Sequence, residues 1–389
     1  MLRAFTFFLN IIFMKHLIKL IIVLSFFSFM SCSQKEEQKI VNPNDYATYL
    51  NRDSDEALAK CNEEMAFWKN KLSEVPESET YRTRVASMLS TRFMLNGKIE
   101  DIQASDSLYH LILNSTTQDY ASLHRALAAN NITRHKFREA RDEVKKALKI
   151  GEGKAASLFQ LVDVDIELGD YAGAKTAMKE FKNRNFFPYI IREAKLKDHA
   201  GQLDSAILLM EKALNQVKDN NALVLWTQSN LGDMYGHAGR IQDAYQSYLR
   251  VLKINPDYDY ALKGIAWIAF SHDHNMTEAK RIINVIGKKR ATPDMHLLLA
   301  QIAEAENNRE EKRKQLELFS SAAHEPRYGD MYNKYIALLE AEEFSNAEKA
   351  IEIAQREISN RPTPQSYDLL AWGYLQHGNK KGALTIAQQ

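Results

Sequence analysis

Leu225 to Pro256, LWTQSNLGDMYGHAGRIQDAYQSYLRVLKINP, is the stretch whose reading decides the fold. It is two short amphipathic helices joined at Gly239. A glycine there can take the left-handed backbone that closes the first helix of a pair. Ile241 follows, fixing the angle at which the second helix sets off, and then Ala244. Alanine suits a place where two helices approach so closely that a larger side chain would push them apart. Tyr248 and Val251, four and seven residues later, fall on the same helical face as Ala244.

The same phase returns along the chain. Gly169 precedes Ala174 (GDYAGA), Gly201 precedes Ala206 (GQLDSA) and Gly378 precedes Ala383 (GNKKGA). Without the glycine it recurs as HKFREA, ending at Ala140, and EEFSNA, ending at Ala347. Phe137, Tyr171, Leu203 and Phe344 take the part of Ile241. Weaker copies place Ala104, Ala279 and Lys312 at the small position. The series 104 to 383 spans 279 residues in eight steps, a mean just under about 35. Such a period marks a stacked array in which each unit buries its face against its neighbours. No run of alternating β-branched residues occurs, and an all-α chain follows.

Spacing and residues resemble the tetratricopeptide repeat, through Leu231-Gly232, Tyr235, Ala244, Tyr248 and Pro256, with Gln228 where that family usually has tryptophan. The resemblance covers Tyr81 to the end and implies a right-handed superhelical solenoid of antiparallel helix pairs, clearest over 121–389. It also implies a concave groove lined by the first helix of each pair. Phase counting puts Trp226, Asp233 and His237 on that face, with Tyr260, Lys263, Trp267 and Phe270 next, then Tyr332 and Trp372. Phe159, Asp163 and Lys195 precede them. Aromatic side chains on a groove are good anchors, since they bury much area at small entropic cost. In chaperone-binding relatives, basic and asparagine residues at two groove positions clamp a peptide carboxylate. The matching positions here hold Arg125/Ala129, Phe159/Asp163, Ile191/Lys195 and Ser229/Asp233, which make no such clamp.

Composition narrows the function. The 51 basic and 50 acidic residues nearly balance, against the strongly basic footprint that nucleic acid demands. No phosphate-cradling glycine loop, Cys-x-x-Cys or nucleophile elbow occurs, so no enzyme class and no cofactor is indicated. His272 and His274, in the loop SHDHNM, with His296 one helix later, are the nearest approach to a metal site. As an extended loop the two flanking histidines point apart, which reads as a solvated connection. Cys61, beside Ala57 and Met65 on a helical face, reads as a small buried hydrophobe.

The N-terminus carries targeting information. Lys15, His16 and Lys19 precede an apolar run from Leu20 to Met30, the layout of a signal peptide over 1–31, whether translation starts at Met1 or Met14. The run is short for a bilayer span. Phe29-Met30-Ser31-Cys32 resembles a bacterial lipobox, departing from it at Phe29. That resemblance implies an acylated Cys32 and a cell-envelope protein on the outer membrane. Ser33 to Glu37 resembles the surface-export signal of Bacteroidetes lipoproteins. Residues 32–45 are expected to form a polar tether and 46–389 the solenoid, with Asp53 capping the first helix and Glu56 as its capping-box partner. Gln389 lies six residues past Ala383, short for a full second helix, so that end is expected either to continue or to be covered by another molecule.

The expectation is a non-enzymatic, membrane-anchored scaffold that holds a protein or peptide in its groove. Two other classes stay open. A nutrient-binding lipoprotein could stack sugars on the same aromatics, although glycan-binding relatives carry long insertions that this chain lacks. A metal-handling role would use His272, His274 and His296.

Overall fold

The computed structural model describes residues 39–52 and 55–388. The leader, Cys32 and the tether up to residue 38 lie outside the described residues, as does Asp53. The first long helix, α1 (Glu56–Glu74), is capped by Asp55, whose carboxylate accepts from the Leu58 amide at 3.0 Å. The cap therefore sits two residues later than the sequence suggests. Cys61 and Met65 face inward on α1, as expected, and burial pushes the Cys61 thiol up.

Nine antiparallel pairs follow among the described residues. They are α2 (Glu79–Asn96) with α3 (Ile99–Ser115), α4 (Ala121–Thr133) with α5 (Phe137–Ile150), and α6 (Lys154–Glu167) with α7 (Tyr171–Lys179). Next come α8 (Phe187–His199) with α9 (Leu203–Gln216), α10 (Asn221–His237) with α11 (Ile241–Ile254), and α12 (Asp259–Ser271) with α13 (Met276–Lys289). The last are α14 (Pro293–Ala305) with α15 (Arg309–Ala323), α16 (Asn333–Glu342) with α17 (Ala347–Asn360), and α18 (Pro364–Gln376) with α19 (Lys380–Ala387). The fold is an all-α solenoid of tetratricopeptide type.

Every pair turns on one left-handed residue. Five are Gly97, Gly169, Gly201, Gly239 and Gly378, and the other four are His135, His274, Asn307 and Ser345. From 97 to 378 is 281 residues in eight steps, again about 35. Counting five residues onward corrects two positions. Ile102, not the exposed Ala104, faces the partner helix in the first pair, and Ala350, 2% exposed, replaces Ala347 in the eighth. The sequence reading slipped there because the turn after α16 is longer, leaving Phe344 exposed and Ser345 in the left-handed region. Lys312 does occupy its small-residue position. Its stem lies along the helix contact and its ammonium reaches Glu304 and Glu343, each at 2.7 Å.

A serine in the left-handed region carries strain of about 1–2 kcal/mol. Ser345→Gly is therefore expected to stabilise the array by about 1 kcal/mol in urea denaturation. No change would show that the turn is unstrained.

Ala244 is 1% exposed against α10, and Ala244→Trp is expected to destabilise the array by about 1–3 kcal/mol through overpacking. An unchanged melting temperature would contradict the pairing. Behind it, the Tyr248 ring lies between two glycines on neighbouring first helices. A Cβ at Gly232 would stand 2.6 Å from Tyr248 Cε1, and one at Gly264 would meet the same ring. These glycines make room for an aromatic ring at the junction of two pairs.

Two features extend beyond a simple stack. The first is an arm, Val41 to Arg52, which runs across α11 and α13. Tyr46 is fully buried and donates its hydroxyl to Glu278, itself held by Arg281 at 2.6 Å. Asn42 donates its amide to the Tyr245 hydroxyl at 3.1 Å, and that hydroxyl reaches Asp45 at 3.0 Å. The Val41 amide donates to Asp273 at 2.8 Å and Arg52 reaches Asp257 at 3.3 Å. Residues 41–45, expected as the end of a spacer, are thus part of the folded body.

The second feature is contact between successive turns of the superhelix. Arg361 meets Glu167 at 2.8 Å with its guanidinium over the Phe137 ring, and Asn360 donates to the His135 carbonyl at 2.6 Å. Arg327 pairs with Glu100, and Arg290 with Asp55. The first two of these contacts join residues 194 and 225 apart, about six repeats. Gly169 serves this approach directly. Its φ is +74° and a Cβ there would lie 2.8 Å from the Pro362 carbonyl oxygen.

Candidate functional site

The even-numbered helices line the concave face, and equivalent positions recur on each. Asp233, Trp267 and Trp372 each lie four residues before the end of their helix, and Trp226 and Tyr260 each lie eleven before it. These five side chains come from three repeats and share one surface because the repeats share one register.

Polar side chains on that surface are mostly tied to the neighbouring first helix. Asp233 accepts from the Tyr248 hydroxyl at 2.7 Å and from the Tyr260 hydroxyl at 2.5 Å. Both phenols are raised well above the tyrosine range, first by burial and then by the Asp233 carboxylate. Lys263 pairs with Asp294 at 2.7 Å and Lys195 with Glu167 at 2.8 Å. Arg192 pairs with Asp163 at 2.5 Å and donates to the Phe159 carbonyl at 3.0 Å. Gln160 donates to the Arg125 carbonyl at 2.7 Å. These links brace one repeat against the next, so Asp233, Lys263, Asp163 and Lys195 are structural ties across the groove.

The aromatic side chains divide differently from the sequence expectation. Trp226, Tyr260, Trp267 and Trp372 are 41%, 50%, 44% and 36% exposed, as groove residues should be. His237 is exposed at the end of α10. Phe270, expected in the groove, packs with Val41, Met276 and Leu298 against the Ala269–Ala279–Ile302 cluster. Tyr332 turns inward edge-on to Phe319 and Tyr328, and burial raises its hydroxyl pKa. Tyr332 stands 13 residues before its left-handed turn, as Trp226 does, but α16 begins only at Asn333, so the ring is not carried on the groove face of a helix. Phe159 is 7% exposed and stacks on Phe181 with centroids 4.0 Å apart, so it belongs to the core.

Between α4 and α10 the groove deepens into two adjoining cavities of about 400 and 500 Å³, which share Ile132, Asp163 and Arg192. The larger is floored by Met210 of α9 and walled by Ile191, Trp226 and Met234. Trp226 is steadied by an edge contact with Phe187, centroids 6.3 Å apart. At the rim, burial and then Lys195 hold His199 below the usual histidine range.

The histidine loop has another use. His272 Nδ1 lies 2.8 Å from Asp273 Oδ1, whose other oxygen takes the Val41 amide, and Asn275 caps α13. His274 supplies the left-handed turn, and His296 Nδ1 contacts Gln315 at 2.6 Å. Among the described residues no three His, Cys, Asp or Glu side chains converge on one point that could hold an ion. Nor is any described helix long and apolar enough to cross a membrane.

No protein-family model and no curated protein matches the sequence. Solved structures do share its shape. A monomeric mutant of IFIT1 with Gppp-AAAA aligns over 83% of this chain and 75% of its own, with 11% identity and a TM-score of 0.50. Yeast Tom70 aligns over 88% and 82%, with 14% identity and a TM-score of 0.44. A tetratricopeptide repeat protein from Parabacteroides merdae aligns over 65% and 98%, with 14% identity and a TM-score of 0.43. At 11% identity the likeness to the first of these bears on the fold alone.

Proposed function

We propose that this chain is a non-enzymatic scaffold of the bacterial cell envelope, anchored by lipid on Cys32, that holds a protein or peptide partner in its concave groove. The observation that carries the reading is the division of labour in the groove. Its charged side chains are tied across repeats, while Trp226, Tyr260, Trp267 and Trp372 present exposed rings. Aromatic rings held on rigid helices lose little entropy when covered, which is the usual composition of an interface hot spot. The anchor rests on the resemblance of Phe29 to Cys32 to a lipobox, and the outer membrane is the proposed location.

Cys32→Ser tests the anchor. It should abolish incorporation of labelled palmitate and release the chain from the membrane fraction, and retention of the label would sink it. Pull-down from detergent-solubilised envelope tests the scaffold. A protein retained by the native chain and lost with Trp226→Ala plus Trp267→Ala supports it. Repeated recovery of no protein, or recovery indifferent to those changes, counts against it.

A further inference from the structure

The two cavities between α4 and α10 form one trough, and its chemistry is specific. We infer that it seats an extended, uncharged, apolar segment of the partner, with a large aliphatic or aromatic side chain resting on Ile191, Trp226 and Met234. The inference deepens the scaffold reading and rests on it.

Size and shape come first. About 500 Å³ lies within the range of pockets that bury ligand groups, and the adjoining 400 Å³ continues it across α6 to α4. A trough crossing four first helices suits a chain better than a compact molecule. Packed helices stand roughly 8–10 Å apart and an extended chain rises about 3.3 Å per residue, so each helix is crossed by about three residues.

Charge then selects the segment. The two cations lining the larger cavity, Arg192 and Lys195, are each paired, with Asp163 at 2.5 Å and Glu167 at 2.8 Å, and Arg125 in the smaller one donates to the Glu152 carbonyl at 2.7 Å and the Ser157 hydroxyl at 3.2 Å. Arg192 also donates to two backbone carbonyls, Phe159 at 3.0 Å and Pro188 at 2.8 Å. Glu167 is claimed a second time by Arg361. An acidic ligand would have to break these pairs and strand a carboxylate in a half-buried site, which is strongly unfavourable. A basic one would have to compete with Arg192 for Asp163, and would otherwise meet only Asp198, which is exposed and screened by solvent. An apolar side chain disturbs none of them and covers the Trp226 ring, the Met234 side chain and the Met210 floor.

Random dodecapeptides displayed on phage and panned against the purified full chain in detergent test the inference. Enriched peptides should carry large apolar residues about every third position and few charges. As synthetic peptides they should bind with little dependence on salt. Met234→Glu and Ile191→Glu, both at partly buried sites on the groove side, should each weaken binding about tenfold or more with the helical circular dichroism unchanged. Leu208→Ala, 66% exposed on the second helix α9, should leave binding within about twofold. Enrichment of charged peptides whose binding falls with salt, indifference to Met234→Glu, or no enrichment at all overturns the trough. Those outcomes leave the scaffold reading to the envelope pull-down, whose failure is a separate result.

Discussion

Tyr46→Ala is expected to release the N-terminal arm from the solenoid. The ring is fully buried, and removing a buried aromatic side chain from a packed site typically costs about 3–5 kcal/mol. Because the arm's hydrogen bonds go to α11, α13 and the turns beside them, with Val41 packed against the adjoining α12 and α14, the loss is local. Amides of residues 42–50 should lose protection from hydrogen exchange while those of α18 keep theirs. Acid should do the same to the native chain. The Glu278 carboxyl is held below the usual carboxylate range, first by hydrogen bonding to Arg281 and then, against burial, by the Tyr46 hydroxyl. A lowered folded pKa means that this contribution is complete above the ordinary value near 4.5 and is lost as pH falls through the lower folded value. Arm amides that stay protected in Tyr46→Ala would show that the arm is held by something other than its buried tyrosine.

The second large effect belongs to Tyr248. Tyr248→Ala removes a 4% exposed ring that fills the space between Gly232 and Gly264, at about 3–5 kcal/mol. It also takes one of two phenol donors from Asp233. In a solenoid each repeat is stabilised by its neighbours, so a defect at one junction divides the array. Urea denaturation should therefore separate into two transitions, one for the repeats before α12 and one for those after. A single transition shifted by less than about 1 kcal/mol would mean that the two glycines do not frame a packing site.

Much of this was legible in the residues. The period of about 35 needed only Gly239, Ala244 and their echoes, because glycine at a left-handed turn and alanine at a helix contact each answer one steric demand. The same reasoning slipped at Ala347, where a longer turn moved the contact to Ala350 and an exposed Phe344 imitated a packing residue. Tyr332 left the groove for a different reason, since α16 starts only after it. Trp226, Tyr260, Trp267 and Trp372 lie exposed on first helices that keep the common register.

The arm was hidden for another reason. Val41 to Leu50 has no helical or strand period, and its anchors, Tyr245 and Glu278, lie about 200 residues away, where no local pattern points to them. Contacts between superhelical turns, such as Arg361 with Glu167, escape for the same reason. The roles of Asp233 and Lys263 also needed the neighbouring helix. A charged residue on a groove looks like a ligand contact until its partner, Tyr260 or Asp294, is seen.

The central claim, that the concave face meets a protein, is tested most directly by site-specific photocrosslinking in the native membrane. A photoreactive amino acid is placed singly at Trp226 or Trp267 in the groove, and at Leu208, which is 66% exposed on the second helix α9, as the outer control. Both groove positions should yield the same discrete protein adduct, absent from Leu208. No adduct at either groove position, or the same adduct at all three, would contradict the account.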